Sequence, residues 1–153
     1  MTMPDAWPDL SGRLDGNRHI LPVRIYFEDT DFSGFVYHGS YVRFMERGRT
    51  DFLRKLGVGH DELDKGEHGG EGLVFVVRRM ALEFKKPARI DDIVEVETQA
   101  KEIGGVRIIL AQTIRRGDVV LLSAEVTVVL VTTGGELRRL PEGVRTIFGL
   151  DPT

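Results

Sequence analysis

The segment EDTDFSGFVYHGSYVRFMERGR (28–49) places three carboxylates, Glu28, Asp29 and Asp31, within four residues. Gly34, Val36, Tyr37 and His38 follow, and from there the pattern turns helical. A carboxylate on such a loop can act as nucleophile or general base. The start of a helix supplies backbone N–H groups without intrahelical acceptors, at the positive end of the macrodipole. An acid and a helix N-terminus brought together suit attack on a polarised carbonyl. Backbone donors at 37–39 would stabilise the oxyanion, a role that needs no particular side chain. Gly34 would let the loop bend and a ligand approach the backbone closely. Asp, Ser and Gly ahead of a helix are also ordinary loop and cap residues, and Asp29 is read as one of these. The side chains of Tyr37 and His38 are read as pocket lining.

Glu46 is a rival acid, at the edge of the helix's apolar arc, and Arg49, three residues on, is expected to pair with it. His60, Asp61, Glu62, Asp64, Glu67 and His68 have no spacing like that of a helical metal-ligand pair, so they read as a solvated loop and no metal site is expected.

These groups need elements to hold them. Residues 1–19 carry two prolines, two glycines and no period, and read as a mobile N-terminal arm ahead of a single domain over 20–150. LPVRIYFE (21–28) alternates as a strand with Val23, Ile25 and Phe27 on one face. Spacing predicts a helix from Gly39 to Leu56 with Tyr41, Val42, Met45, Gly48, Phe52, Leu53 and Leu56 on one arc. Gly57 suits its C-terminal cap. The glycine-rich stretch 57–72 is a loop with one helical turn at 60–65. Four β-branched segments follow at 73–88, 92–103, 106–116 and 119–132, with Gly104-Gly105 and Gly117-Asp118 as hairpin signals. A last helical turn is expected over 141–149. One amphipathic helix needs a sheet to cover it, so the expected class is α+β, a helix wrapped by a curved antiparallel sheet. The edges of that sheet favour self-association.

The bulk properties set limits. A net charge of −3 over 153 residues does not suggest a nucleic-acid partner. The absence of cysteine excludes disulfides, thiolate metal sites and a cysteine nucleophile, and fits a cytoplasmic protein. The first residues lack the basic and apolar regions of a signal peptide. No apolar run approaches the roughly 18 residues of a membrane span, which leaves only peripheral membrane association open.

The residues Asp31, Gly34, Val36, Tyr37 and His38, with YVRFMERGR (41–49) and KPARIDDIVEVE (86–97), resemble the hotdog-fold acyl-CoA thioesterases of the 4-hydroxybenzoyl-CoA thioesterase-like family. The branch most resembled is the one associated with the Tol–Pal system. The resemblance covers roughly residues 22–148. It implies a hotdog fold, a homodimer or homotetramer, and hydrolysis of an acyl-CoA substrate at a subunit interface without a cofactor. It assigns the reacting acid to Asp31 and the polarising backbone N–H to His38. Coenzyme A carries phosphates, so Lys101, Arg107, Arg138 and Arg139 become candidate contacts, with Arg107 and Arg138 foremost. The family's benzoyl-specific members have basic residues where this chain has Gly104-Gly105, which argues against a 4-hydroxybenzoyl substrate. A short aliphatic or aromatic acyl group is expected. The alternative function is a non-catalytic hotdog module that binds acyl-CoA or docks on a partner; such a binder would not require Asp31.

Overall fold

The computed structural model describes residues 11–58 and 72–148. Seven strands form one antiparallel sheet: β1 (Arg13–Asp15), β2 (Arg18–Arg24), β3 (Leu73–Phe84), β4 (Ile93–Ile103), β5 (Arg107–Arg116), β6 (Val119–Thr132) and β7 (Leu137–Arg138). Two helices accompany them, α1 (His38–Lys55) and the short α2 (Glu142–Ile147). The order across the sheet is β1-β2-β4-β5-β6-β3, and β7 pairs with β6. The α+β hotdog architecture expected from the sequence is the one observed.

Helix α1 lies within a residue of its expected bounds because its signals are local. Tyr41, Phe44, Met45, Gly48 and Phe52 are buried along one face. Its end is a Schellman motif. Gly57, at φ +83°, follows the Leu56 cap; its N–H donates to Arg54 O (3.1 Å), and Val58 N–H donates to Leu53 O (2.9 Å). Gly48 is the point of closest approach between helix and sheet. A Cβ there would lie 2.8 Å from Val96 Cγ1 and 3.2 Å from Thr98 Oγ1.

The two glycine hairpins form as expected, joining β4 to β5 and β5 to β6. The connection from β3 to β4 is different. β3 crosses to the far side of β6 and pairs with it from Leu73↔Thr132 to Phe84↔Leu122. It is therefore an edge strand, separated from β4 by β5 and β6.

The start of the chain also departs from expectation. Of the arm placed at 1–19, residues 1–10 lie outside the described residues. Residues 13–15 and 18–19 belong to a hairpin that turns at Gly16, φ +64°. A two-residue loop with glycine first is a hairpin signal in its own right. The strand expected over 21–28 ends at Arg24. Ile25 is fully buried, but Phe27 sits in a 3-10 turn (Phe27–Asp29) and is exposed. The helical turn expected at 60–65 and the His60–His68 cluster lie outside the described residues.

A buried polar contact fastens the N-terminal hairpin to α1. His19 Nε2 lies 2.6 Å from Asp51 Oδ2, and Gly12 N–H donates to the same oxygen at 2.8 Å. Arg54 Nη1 approaches Asp51 Oδ1 at 3.0 Å. Burial pushes the Asp51 carboxyl up, but the bonds from His19 and Gly12 and the charges of His19 and Arg54 together hold it below its ordinary value.

Candidate active site

Asp31 opens a tight turn. Gly34 N–H donates to Asp31 O, and Asp31 N–H donates to Phe35 O, each at 3.0 Å. Gly34 closes the turn at φ +84°, a backbone conformation that glycine adopts without a Cβ penalty. The Asp31 carboxylate is exposed, and among the described residues Ser33 is the one that donates to it. Oδ1 accepts the Ser33 N–H at 2.8 Å and the Ser33 hydroxyl at 2.5 Å. The hydroxyl and then the backbone bond from Ser33 keep the Asp31 carboxyl below its ordinary value, with a lesser contribution from His38.

The next residues anchor the turn to the body of the protein. Val36 is buried, and its N–H donates to Ala88 O at 2.9 Å. Ala88 N–H donates to the Tyr41 hydroxyl at 3.0 Å, so this one residue between β3 and β4 grips both the loop and the first turn of α1. Phe35 bridges to Arg89, whose guanidinium lies 4.5 Å from the Phe35 ring centroid. The contribution of the KPAR segment to the site is thus a clamp, made through backbone groups that residue type does not reveal. Asp29 is buried, as its loop reading requires. Its carboxylate accepts Tyr26 N–H at 2.8 Å, and its carbonyl accepts the Tyr37 N–H (2.9 Å) and the Ser40 hydroxyl (3.0 Å).

Helix α1 starts at His38, with Tyr37 as the N-cap residue in extended conformation. Of the backbone donors expected at 37–39, Tyr37 N–H is taken by Asp29 O (2.9 Å), and Ser40 N–H closes the first turn onto Tyr37 O (2.8 Å). The N–H groups of His38 and Gly39 are the ones left without a backbone acceptor among the described residues. The Tyr37 and His38 rings are exposed and lie against each other, centroids 4.4 Å apart, and a Cβ on Gly39 would meet the Tyr37 ring at 2.6 Å. Asp31, Gly34, Val36, Tyr37 and His38 therefore come together on one loop and one helix end.

Three cavities flank α1 among the described residues. The largest, about 690 Å³, is a polar cleft between α1 and β2 lined by Arg43, Glu46, Arg47 and Arg54. The other two are less polar. One, of about 300 Å³, adjoins the helix start and is lined by Val36, His38, Tyr41, Phe84, Lys85, Lys86 and Pro87. Neither lysine makes an ion pair among the described residues. The other, of about 450 Å³, runs beside the second half of α1. Phe52, Leu53, Phe75, Met80 and Phe148 give it an apolar wall, with Glu46 and Arg49 on its border.

One expected contact is not made, and the candidate phosphate-binding residues lie away from the loop. Glu46 and Arg49 form no ion pair. Arg49 is turned toward the sheet and donates to Gln112 Oε1 at 3.0 Å, while Glu46 is exposed. Gln112 is buried, and its amide also donates to Met45 O (3.0 Å) and Thr98 Oγ1 (2.9 Å). Arg107 and Arg138 become neighbours along β6, opposite Val129 and Leu130, but each has an acid nearby: Glu102 at 4.0 Å and Glu136 at 3.2 Å. The Asp31 loop instead docks next to the Phe84 end of β3, which pairs with Leu122. From Leu122 to Val129 is roughly 23 Å along the strand at ~3.3 Å per residue. One chain does not bring these arginines to the loop. Lys101 is held by Glu125 at 2.6 Å, and Arg139 packs over Gly105. The two lysines beside the helix start were missed because KK before a proline reads as a solvated strand end.

Residues 33–127 match the model of the thioesterase superfamily. The chain belongs to that superfamily. It is 43% identical over 111 residues to the acyl-CoA thioester hydrolase YbgC of Escherichia coli O6:H1, covering 72% of this chain and 79% of that one. It is 38% identical over 118 residues to the acyl-CoA thioesterase YbgC of Haemophilus influenzae, covering 77% and 84%. Among solved structures, a probable thioesterase from Bartonella henselae superposes with a TM-score of 0.77 at 42% identity, covering 81% of this chain and 99% of that one. The protein is a thioester hydrolase of the hotdog fold. No described helix is long and apolar enough to cross a membrane.

Proposed function

We propose that the protein hydrolyses acyl-CoA thioesters to the free acid and coenzyme A, with Asp31 as the reacting carboxylate. The observation that carries this reading is the exposed, ionised Asp31 carboxylate on the turn that leads directly into the free N-terminus of α1. The thioester carbonyl oxygen would accept the His38 N–H, so that negative charge developing on it meets a fixed donor and the helix dipole. As nucleophile, Asp31 attacks the carbonyl carbon, the C–S bond breaks, coenzyme A leaves as the thiolate, and water cleaves the mixed anhydride. As general base, Asp31 takes a proton from the water that attacks, and the thiolate leaves in the same way. Gly34 leaves room for the substrate over the turn, and Val36 and Tyr37 line its approach.

The 450 Å³ cavity has the size and apolar lining for a short aliphatic or aromatic acyl group. It starts near Glu46, eight residues past His38 and so about 12 Å along the helix axis. Loop and cavity thus sit at different heights on one helix. That separation supports a site shared between two copies, and β3, with one edge unpaired among the described residues, is where a second copy would add. The phosphates of the leaving group are better served by Lys85 and Lys86 than by Arg107 and Arg138. The lysines line the cavity next to His38 and lack an acidic partner among the described residues, whereas Arg107 and Arg138 have Glu102 and Glu136.

The deciding experiment is a panel of short, long and aromatic acyl-CoAs with released thiol measured, with and without a chelator. Turnover of short or aromatic members, unaffected by the chelator, is expected. No turnover across the panel would leave the binding-module reading in its place.

A further inference from the structure

The turn that presents Asp31 also fixes which of its oxygens is free. Ser33 spends two donors on Oδ1, its N–H at 2.8 Å and its hydroxyl at 2.5 Å. The hydroxyl is not free to turn away, because its oxygen accepts the Phe35 N–H at 3.2 Å. A chain of donors therefore runs from Phe35 N–H through the Ser33 hydroxyl to Asp31 Oδ1. Such chains polarise each member toward the terminal acceptor. Oδ2 receives no protein donor among the described residues. Asp31 lies open to water and is otherwise held only through its main chain, so without Ser33 its carboxylate would rotate about χ1 and χ2.

We propose that Ser33 is the positioning residue for Asp31, holding Oδ1 so that Oδ2 alone faces the substrate as nucleophile or base. This rests on the reading of Asp31 as the reacting acid. The arrangement brings a compromise. Donors on Oδ1 make the carboxylate less basic, which lowers its intrinsic reactivity. In exchange, one oxygen is held in a fixed direction, and orientation of a reacting group is worth more than a small loss of basicity. The Ser33 oxygen is poorly suited to react itself, since its proton is given to Asp31 and a lone pair is engaged by Phe35 N–H.

The test compares Ser33→Ala, Ser33→Thr and Asp31→Asn, singly and with Ser33→Ala combined with Asp31→Asn, on one acyl-CoA that the wild-type protein turns over. Ser33→Ala is expected to lower kcat about tenfold with KM changed less than about threefold, as for a group acting only on the reacting atoms. The acid limb of its pH profile should move to higher pH, because the hydroxyl that held the Asp31 carboxyl down is gone. Ser33→Thr, which keeps the hydroxyl, should restore both. In the Asp31→Asn background Ser33→Ala should add no further loss. Unchanged kcat and an unmoved acid limb in Ser33→Ala, alongside a disabled Asp31→Asn, would overturn the positioning role and leave Asp31 as the acid. Loss in Ser33→Ala as deep as in Asp31→Asn would overturn it too, making Ser33 the group that reacts. Full turnover in Asp31→Asn would instead defeat the underlying assignment. Ser33 is exposed, so folding should survive; if Ala disturbs the turn, Ser33→Cys, with a weak donor of similar shape, gives the same comparison.

Discussion

Arg49 donates to Gln112 across the helix–sheet boundary at 3.0 Å, and Glu46, one turn earlier, has no ion pair or hydrogen bond from its side chain among the described residues. The contact separates the two acids that the sequence offers for catalysis. Asp31 has an organised donor pair and stands at the helix start; Glu46 is an exposed group on the border of a cavity further along.

Asp31→Asn keeps the shape of the side chain and removes its charge. Turnover is expected to fall by about a hundredfold or more with substrate binding nearly unchanged, the usual cost of losing a positioned acid–base or nucleophilic group. Glu46→Gln should keep most of the turnover and, lacking an ion pair to lose, should melt close to wild type. A folded Glu46→Gln without activity, beside an active Asp31→Asn, would transfer the chemistry to the helix acid.

Lys85→Ala with Lys86→Ala should raise KM for acyl-CoA several-fold while kcat changes little. The increase should disappear with a thioester of the same acyl group on N-acetylcysteamine, which has no phosphates. An equal KM increase for both substrates would show that the lysines do not meet the nucleotide portion.

Gly48→Ala drives a methyl group into the Val96 and Thr98 side chains at the closest helix–sheet approach. Overpacking of this kind costs about 1–3 kcal/mol, against under 1 kcal/mol gained in helix propensity. Denaturant unfolding should show the loss as a lower midpoint at unchanged slope. A midpoint above that of the wild type would mean that the sheet yields there.

The stability contribution of Asp51 should depend on pH. Its folded-state value is depressed, so its stabilisation is present in full above the ordinary carboxylate value, 3.8, and is lost as pH falls through the lower folded value. Asp51→Asn should therefore be less stable at pH 7, by about 3 kcal/mol for a broken buried pair. The gap should narrow as the pH is brought below 4. A gap that stays constant from pH 7 to 3 would place the cost in packing rather than charge.

The proposed sharing of a site between copies predicts at least a dimer. Sedimentation equilibrium at micromolar concentration should give twice the chain mass or more, and a monomer that is nevertheless active would remove the shared site.

The sequence by itself determined those features that depend on neighbours along the chain. Helix α1 and its Gly57 cap, the glycine hairpins, and the loop joining Asp31 to His38 rest on spacing, turn residues and capping groups within a few positions of one another. The tertiary structure alone decided which distant segments meet. β3 pairs with β6 instead of its neighbour in sequence β4, and no local pattern records that choice. His19 finds Asp51, Gln112 finds Arg49, and Ala88 clamps both Val36 and Tyr41 through backbone atoms. Such contacts are selected by the burial of polar groups that must find partners once water is excluded, a requirement that arises only when the fold brings them inside.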